Sequence, residues 1–252
     1  MLYDDLEDGY VKTSMGMIHY KQHPGSGTKV LFLHGFAAST KSWVKLIEWM
    51  PDDLNLCFID LLGHGVSDAP KINYNVAVHA RVVREFIEAK DMQNGYLFGH
   101  SYGGWIAALL AQSGFGNGGI VLEDAMGLKD YFDDLEKANL KEAFNNRWVG
   151  EARILGLADH VIESSVSAEK TLDSLTRESL GRLSAPTLLV WGSNDNVVSV
   201  KYAKLFSEYI KGSALEILEG AGHVPHYTNA EGVAKVLLKF IGHQERTGSL
   251  RG

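Results

Sequence analysis

Tyr96-Leu97-Phe98-Gly99-His100-Ser101-Tyr102-Gly103-Gly104-Trp105-Ile106-Ala107-Ala108 decides the fold. The apolar Tyr96-Leu97-Phe98 suits a buried strand, the small-residue run from Gly103 suits a packed helix, and Ser101 falls at the turn between them. A serine in so tight a turn takes a strained backbone that lifts its hydroxyl clear of the sheet. Glycines two positions to either side let strand and helix pass closely. The segment therefore reads as a nucleophile elbow, a pattern that needs its context to carry weight.

The context is a set of motifs that each follow an apolar run. Asp195 lies in Trp191-Gly192-Ser193-Asn194-Asp195-Asn196-Val197-Val198 after Thr187-Leu188-Leu189-Val190. His223 lies in Gly220-Ala221-Gly222-His223-Val224-Pro225 after Leu215-Glu216-Ile217-Leu218. Upstream, His34-Gly35-Phe36 follows Val30-Leu31-Phe32-Leu33, and Asp60-Leu61-Leu62-Gly63-His64-Gly65-Val66-Ser67 follows Leu56-Cys57-Phe58-Ile59.

Strands are predicted near 29–34, 54–60, 95–100, 118–124, 186–191 and 214–218, and helices near 40–50, 74–90, 102–112, 199–211 and 229–241. Tyr10-Val11-Lys12-Thr13 and Met17-Ile18-His19-Tyr20 read as an antiparallel hairpin at the sheet edge. Alternation at this spacing demands an α/β fold, a mostly parallel sheet with helices on both faces and functional loops at the strand C-terminal ends. Between Asp124 and Ala185 the alternation stops and only helical patterns remain, too long a run for a plain connection. The expected organisation is a core of residues 1–124 and 186–241, a helical cap insertion at 125–185 and a frayed tail at 242–252.

Serine, then acid, then histidine is the chain order of the α/β-hydrolase superfamily and differs from the chymotrypsin and subtilisin orders. On these five ordered motifs, residues 10 to 241 resemble that superfamily. The resemblance implies an eight-stranded sheet with a cap after strand 6, Ser101 as nucleophile, His223 as base and Asp195 as the acid that orients it. It also implies that the backbone N–H groups of Phe36 and Tyr102 form the oxyanion hole, beside a glycine-rich turn at 60–67. Glu123 and Asp124 end the sixth strand, where some members carry the acid. Asp195 is preferred because its loop resembles the superfamily's commonest acid loop, and Asp124 is assigned to the start of the cap.

Composition narrows the function classes. A chain of 252 residues suits one large α/β domain. The net charge of −7 and the lack of a Lys/Arg run argue against nucleic acid. The acidic start and short apolar runs argue against a membrane span, so the expectation is a cytoplasmic protein. A single cysteine, Cys57, excludes an intramolecular disulfide and sits in a predicted buried strand. The histidines lack metal-ligand spacing, so no metal or cofactor is expected. His34, His64 and His100 are read as packing or bonding near the elbow, and His226 as a loop or pocket residue.

The leading expectation is a cofactor-free serine hydrolase, a carboxylesterase acting on a small-molecule ester of small or medium acyl chain. Association as a homodimer is left open. Ser101 in place of an aspartate argues against haloalkane dehalogenases and epoxide hydrolases. Thioesterase, lactonase and carbon–carbon bond hydrolase activities use the same groups, although the segments after His34-Gly35 and His223 lack features common in the last. A ligand receptor or interaction protein with a slow triad is the reading from another class.

Overall fold

The computed structural model of the chain describes residues 1–167 and 173–248. Eight strands form one sheet: β1 (Glu7–Thr13), β2 (Gly16–Pro24), β3 (Lys29–Leu33), β4 (Asn55–Ile59), β5 (Tyr96–His100), β6 (Gly119–Glu123), β7 (Thr187–Gly192) and β8 (Ala214–Leu218). Their order is β1-β2-β4-β3-β5-β6-β7-β8. The expected hairpin forms with Thr13 opposite Gly16, and β2 pairs antiparallel with β4; every later pairing is parallel. The central strands β5 and β6 are buried throughout, as their near-continuous apolar sequences require when helices cover both faces.

Those helices are α1 (Val44–Ile47), α2 (Val76–Ala89), α3 (Tyr102–Gln112), α8 (Val200–Tyr209), α9 (Pro225–Thr228) and α10 (Ala230–Gly248). One core packs α2, α3 and α8 against one face of the sheet. The other packs α1 and α10 against the opposite face, around Phe32 stacked between Phe58 and Phe98. Cys57 lies buried in β4, where loss of hydration pushes its thiol up to about 12.

Two expectations need correction. The helix anticipated over 40–50 is a 3-10 turn, Thr40–Trp43, followed by the single turn α1, because the Asp60 carboxylate takes the Thr40 N–H (2.7 Å) and ties the segment to the β4 loop. The tail anticipated to fray from 242 is helical to Gly248. The face of α10 that packs with Val233, Leu237 and Ile241 on the sheet carries the helix past its last core residue. Residues 249–252 lie outside the described residues.

Between β6 and β7 the chain forms α4 (Lys129–Lys137), α5 (Lys141–Ile154), α6 (Asp159–Ser167) and α7 (Arg177–Gly181). Within this helical insertion, an isolated parallel bridge joins Leu128 to Leu175.

Candidate active site

Ser101 stands between β5 and α3 with φ 50°, ψ −111°, a left-handed conformation that a side-chain-bearing residue holds only when its surroundings impose it. They do so here by closeness. A Cβ on Gly103 would come within 2.1 Å of the Leu33 carbonyl oxygen, and one on Gly99 within 2.3 Å of the Gly103 oxygen. The Ser101 N–H donates to the Glu123 carbonyl (2.9 Å), and its own carbonyl accepts from Trp105 and Met126.

The sheet brings the three predicted residues together at one edge. The Ser101 Oγ lies 3.0 Å from His223 Nε2, and His223 Nδ1 lies 2.8 Å from an Asp195 carboxylate oxygen. With its ring proton on Nδ1, donated to Asp195, His223 keeps a lone pair on Nε2 to accept from the serine hydroxyl. The other Asp195 oxygen accepts from the N–H groups of Val197 (2.7 Å) and Val198 (3.0 Å). Burial favours the neutral acid at Asp195, yet the bond to His223 and its charge outweigh that and hold the group below the ordinary carboxylate range. Burial pulls His223 below the ordinary histidine value, with Asp195 opposing the shift, so the ring is unprotonated and available as a base near neutral pH.

Asp124, the other acid considered from sequence, is buried at φ 44° and accepts the Gly192 N–H (3.1 Å). Burial, then the Glu123 and Asp195 charges, push it far above the carboxylate range, so it is held neutral. Asp195 is the carboxylate bonded to His223.

Phe36 and Tyr102 approach the serine from two sides. A Cβ on Gly35 would lie 3.5 Å from the Ser101 Cβ, so the β3 loop passes against the elbow. His34 orients that loop. Its Nε2 accepts from Leu61 N–H (3.0 Å), which leaves Nδ1–H to donate to the Gly35 carbonyl (2.7 Å). In a planar trans peptide, holding that carbonyl turns the Phe36 N–H to the opposite side. Among the described residues, the N–H groups of Phe36 and Tyr102 are given to no other acceptor. Tyr102 is the first residue of α3, where the helix dipole favours negative charge; its hydroxyl is hydrogen-bonded to His79 Nδ1 (2.9 Å).

The insertion reaches this site. Trp148 of α5 stacks on Phe36, ring centroids 4.3 Å apart and planes 14° apart, and meets Tyr102 edge-on. A cavity of about 230 Å³ lies between the insertion and the acid loop, lined by Tyr131, Leu140, Phe144, Trp148, Asn196 and Val197 among others.

The alpha/beta hydrolase family model matches residues 30–236. The chain belongs to the alpha/beta hydrolase family. Among similar curated proteins, this hydrolase is 25% identical to the monoacylglycerol lipase abhd6-A of Xenopus laevis, over 89% of this chain and 78% of that protein. Among solved structures it resembles a membrane phospholipase A described as a bacterial virulence factor (25% identity, 95% of this chain and 87% of that one, TM-score 0.76). It also resembles a hydrolase from Pseudomonas aeruginosa (19%, 95% and 99%, TM-score 0.77), a likeness of fold. Among the described residues, no helix is long and apolar enough to cross a membrane.

Sequence reasoning overlooked two features of the hydrolase's site. His226, read from the sequence as a loop or pocket residue, is fully buried in the single turn α9: its N–H and Nδ1 face the Glu123 carboxylate at 2.9 and 2.5 Å, and Trp43 packs on its ring. The available signal was a glutamate closing the wholly apolar run Ile120-Val121-Leu122, since a charge at a buried strand end requires partners. The second is the stacking of Trp148 on Phe36, for which residues so far apart in sequence carry no signal.

Proposed function

We propose that this chain is a serine hydrolase that cleaves carboxylic esters of small or medium acyl chains through an acyl-enzyme intermediate. The observation that carries the reading is the continuous Ser101–His223–Asp195 hydrogen-bond chain, with the serine hydroxyl at the strained turn. The names of the relatives, a monoacylglycerol lipase and a membrane phospholipase A, are those of ester-cleaving enzymes.

In this reading Ser101 Oγ attacks the ester carbonyl while its proton passes to His223 Nε2, and Asp195 stabilises the imidazolium. The tetrahedral oxyanion accepts from the N–H groups of Phe36 and Tyr102, each worth about 3 kcal/mol in the transition state. Collapse breaks the ester C–O bond, and the departing alkoxide takes the proton from His223. Water then attacks the acyl-enzyme with His223 again as base, releasing the acid and restoring Ser101. The insertion acts as a cap, its Trp148 roofing the acyl site through Phe36.

A fluorophosphonate probe should label Ser101 and abolish turnover of p-nitrophenyl butyrate, and Ser101→Ala should do neither. Labelling elsewhere, or turnover undiminished in Ser101→Ala, sinks the reading.

A further inference from the structure

We propose that Glu123 is a positioning residue of this same site, holding the nucleophile turn with its backbone and the histidine loop with its carboxylate. The proposal rests on the serine-hydrolase reading for its rate predictions, but its geometry stands apart from it.

Glu123 closes β6 beside the end of β5, opposite His100 in the parallel register. Its carbonyl receives the Ser101 N–H at 2.9 Å. Its carboxylate, with no exposure to solvent, receives two donors from one residue: the His226 backbone N–H (2.9 Å) and, with the ring proton on Nδ1, the His226 imidazole (2.5 Å). His226 is three residues beyond His223, so both reacting side chains are referenced to one residue of a central strand. A charge-assisted pair at this burial is stiff because breaking it leaves a carboxylate without water to replace the lost donors. Trp43 packs on the His226 ring, centroids 4.3 Å apart, and restricts its movement.

The carboxylate also has an electrostatic consequence. Burial opposes its ionisation, but His226 and His100 outweigh burial and keep it charged. His223 is faced from β5 by Ser101 and by His100, with ring centroids 5.1 Å apart. The β7 loop presents Asp195; the β6 end presents Asp124, held neutral, and Glu123; His226 follows in its own segment. Of these groups Asp195 and Glu123 are the anions, so Glu123 adds to Asp195 in favouring the imidazolium that forms as Ser101 attacks.

His100, Glu123 and His226 also converge as a ligand set for a cation. In the arrangement described, Glu123 and His226 of that set are engaged in their mutual hydrogen bond.

Glu123→Gln keeps the shape and removes the charge. Its kcat should fall tenfold or more with KM within about twofold, and the acid limb of kcat/KM should move to lower pH, because His223 loses a neighbour that favours its protonated form. His226→Asn can place an amide N–H near the position of Nδ1 and should retain most of kcat, whereas His226→Ala should lose about tenfold. A proton spectrum should show a strongly deshielded His226 ring resonance in the native protein and in Ser101→Ala, absent from Glu123→Gln. An unchanged rate and acid limb in folded Glu123→Gln overturns the proposal, as does equal loss in His226→Asn and His226→Ala. If Glu123→Gln fails to fold, the two His226 variants decide. Should the native protein lack all ester turnover and Ser101 labelling, the serine-hydrolase reading fails on its own; the ring resonance then decides the geometry, and its absence overturns that too.

Discussion

The loops after β5, β7 and β8 and the helices between β6 and β7 meet at one site but are specified differently. At the loops, backbone constraints decide: a serine at φ 50°, a glycine that admits no Cβ, and a strand end that leaves one way for the next residue to point. Position along the chain therefore translates directly into position in space. In the insertion, amphipathic helices settle by packing side chain on side chain, as in the stack of Trp148 on Phe36 and the edge contacts of Phe144 and Tyr131. Packing of that kind tolerates volume-conserving exchange, so the insertion can vary in shape while the strand ends cannot.

The largest expected effect tests the loops as a unit. Ser101→Ala, His223→Ala and the double variant should each lose about 10⁴ to 10⁶ in kcat, similar in size because each removes the same proton transfer. Multiplying losses would mean that the two residues act separately. Next, Asp195→Asn should lower kcat by about 10⁴ through the wrong imidazole tautomer, and Asp124→Asn far less. The reverse ranking would move the working acid to the end of β6.

A smaller effect should mark the insertion. Trp148→Ala should shift the preferred acyl length of p-nitrophenyl esters upward from butyrate or hexanoate, since removing the ring opens space beside Phe36. The same change should cost about 3 to 5 kcal/mol of unfolding free energy in a denaturant titration. Lost stability with an unmoved optimum would make Trp148 purely a packing residue, and native efficiency still rising at palmitate would point to an open groove.

The smallest effect concerns Asp124. Its folded-state value is raised far above the ordinary carboxylate value of about 3.9, so above that pH the native state holds a proton that the unfolded chain has released. Its contribution to stability is thus present at low pH and is lost as pH rises. Asp124→Asn, neutral at every pH, should remove that slope. The Tm of the variant should gain on that of the native protein between pH 5 and 9, and parallel curves would show Asp124 ionised in both states.

The sequence alone determined the strand and helix alternation, the sheet edge at which the motifs gather, and Ser101 and His223 as residues that meet there, with Asp195 preferred to Asp124 as their acid. Each of these depends on local backbone chemistry: period-2 and buried apolar runs, a turn flanked by glycines, polar residues directly after strands. The α10 extension to Gly248 and the short turns at 40–47 escaped it because tertiary contacts set where those elements stop. Only the tertiary structure decided between the two acids. Asp124 and Asp195 both follow strands, and what separates them is that one receives His223 and two backbone N–H groups while the other is buried against two carboxylates and stays neutral. The roles of Trp148 and of the Glu123–His226 pair were likewise beyond the sequence. Their partners lie more than a hundred residues away, and no local period records which side chain will face which across a packed interior.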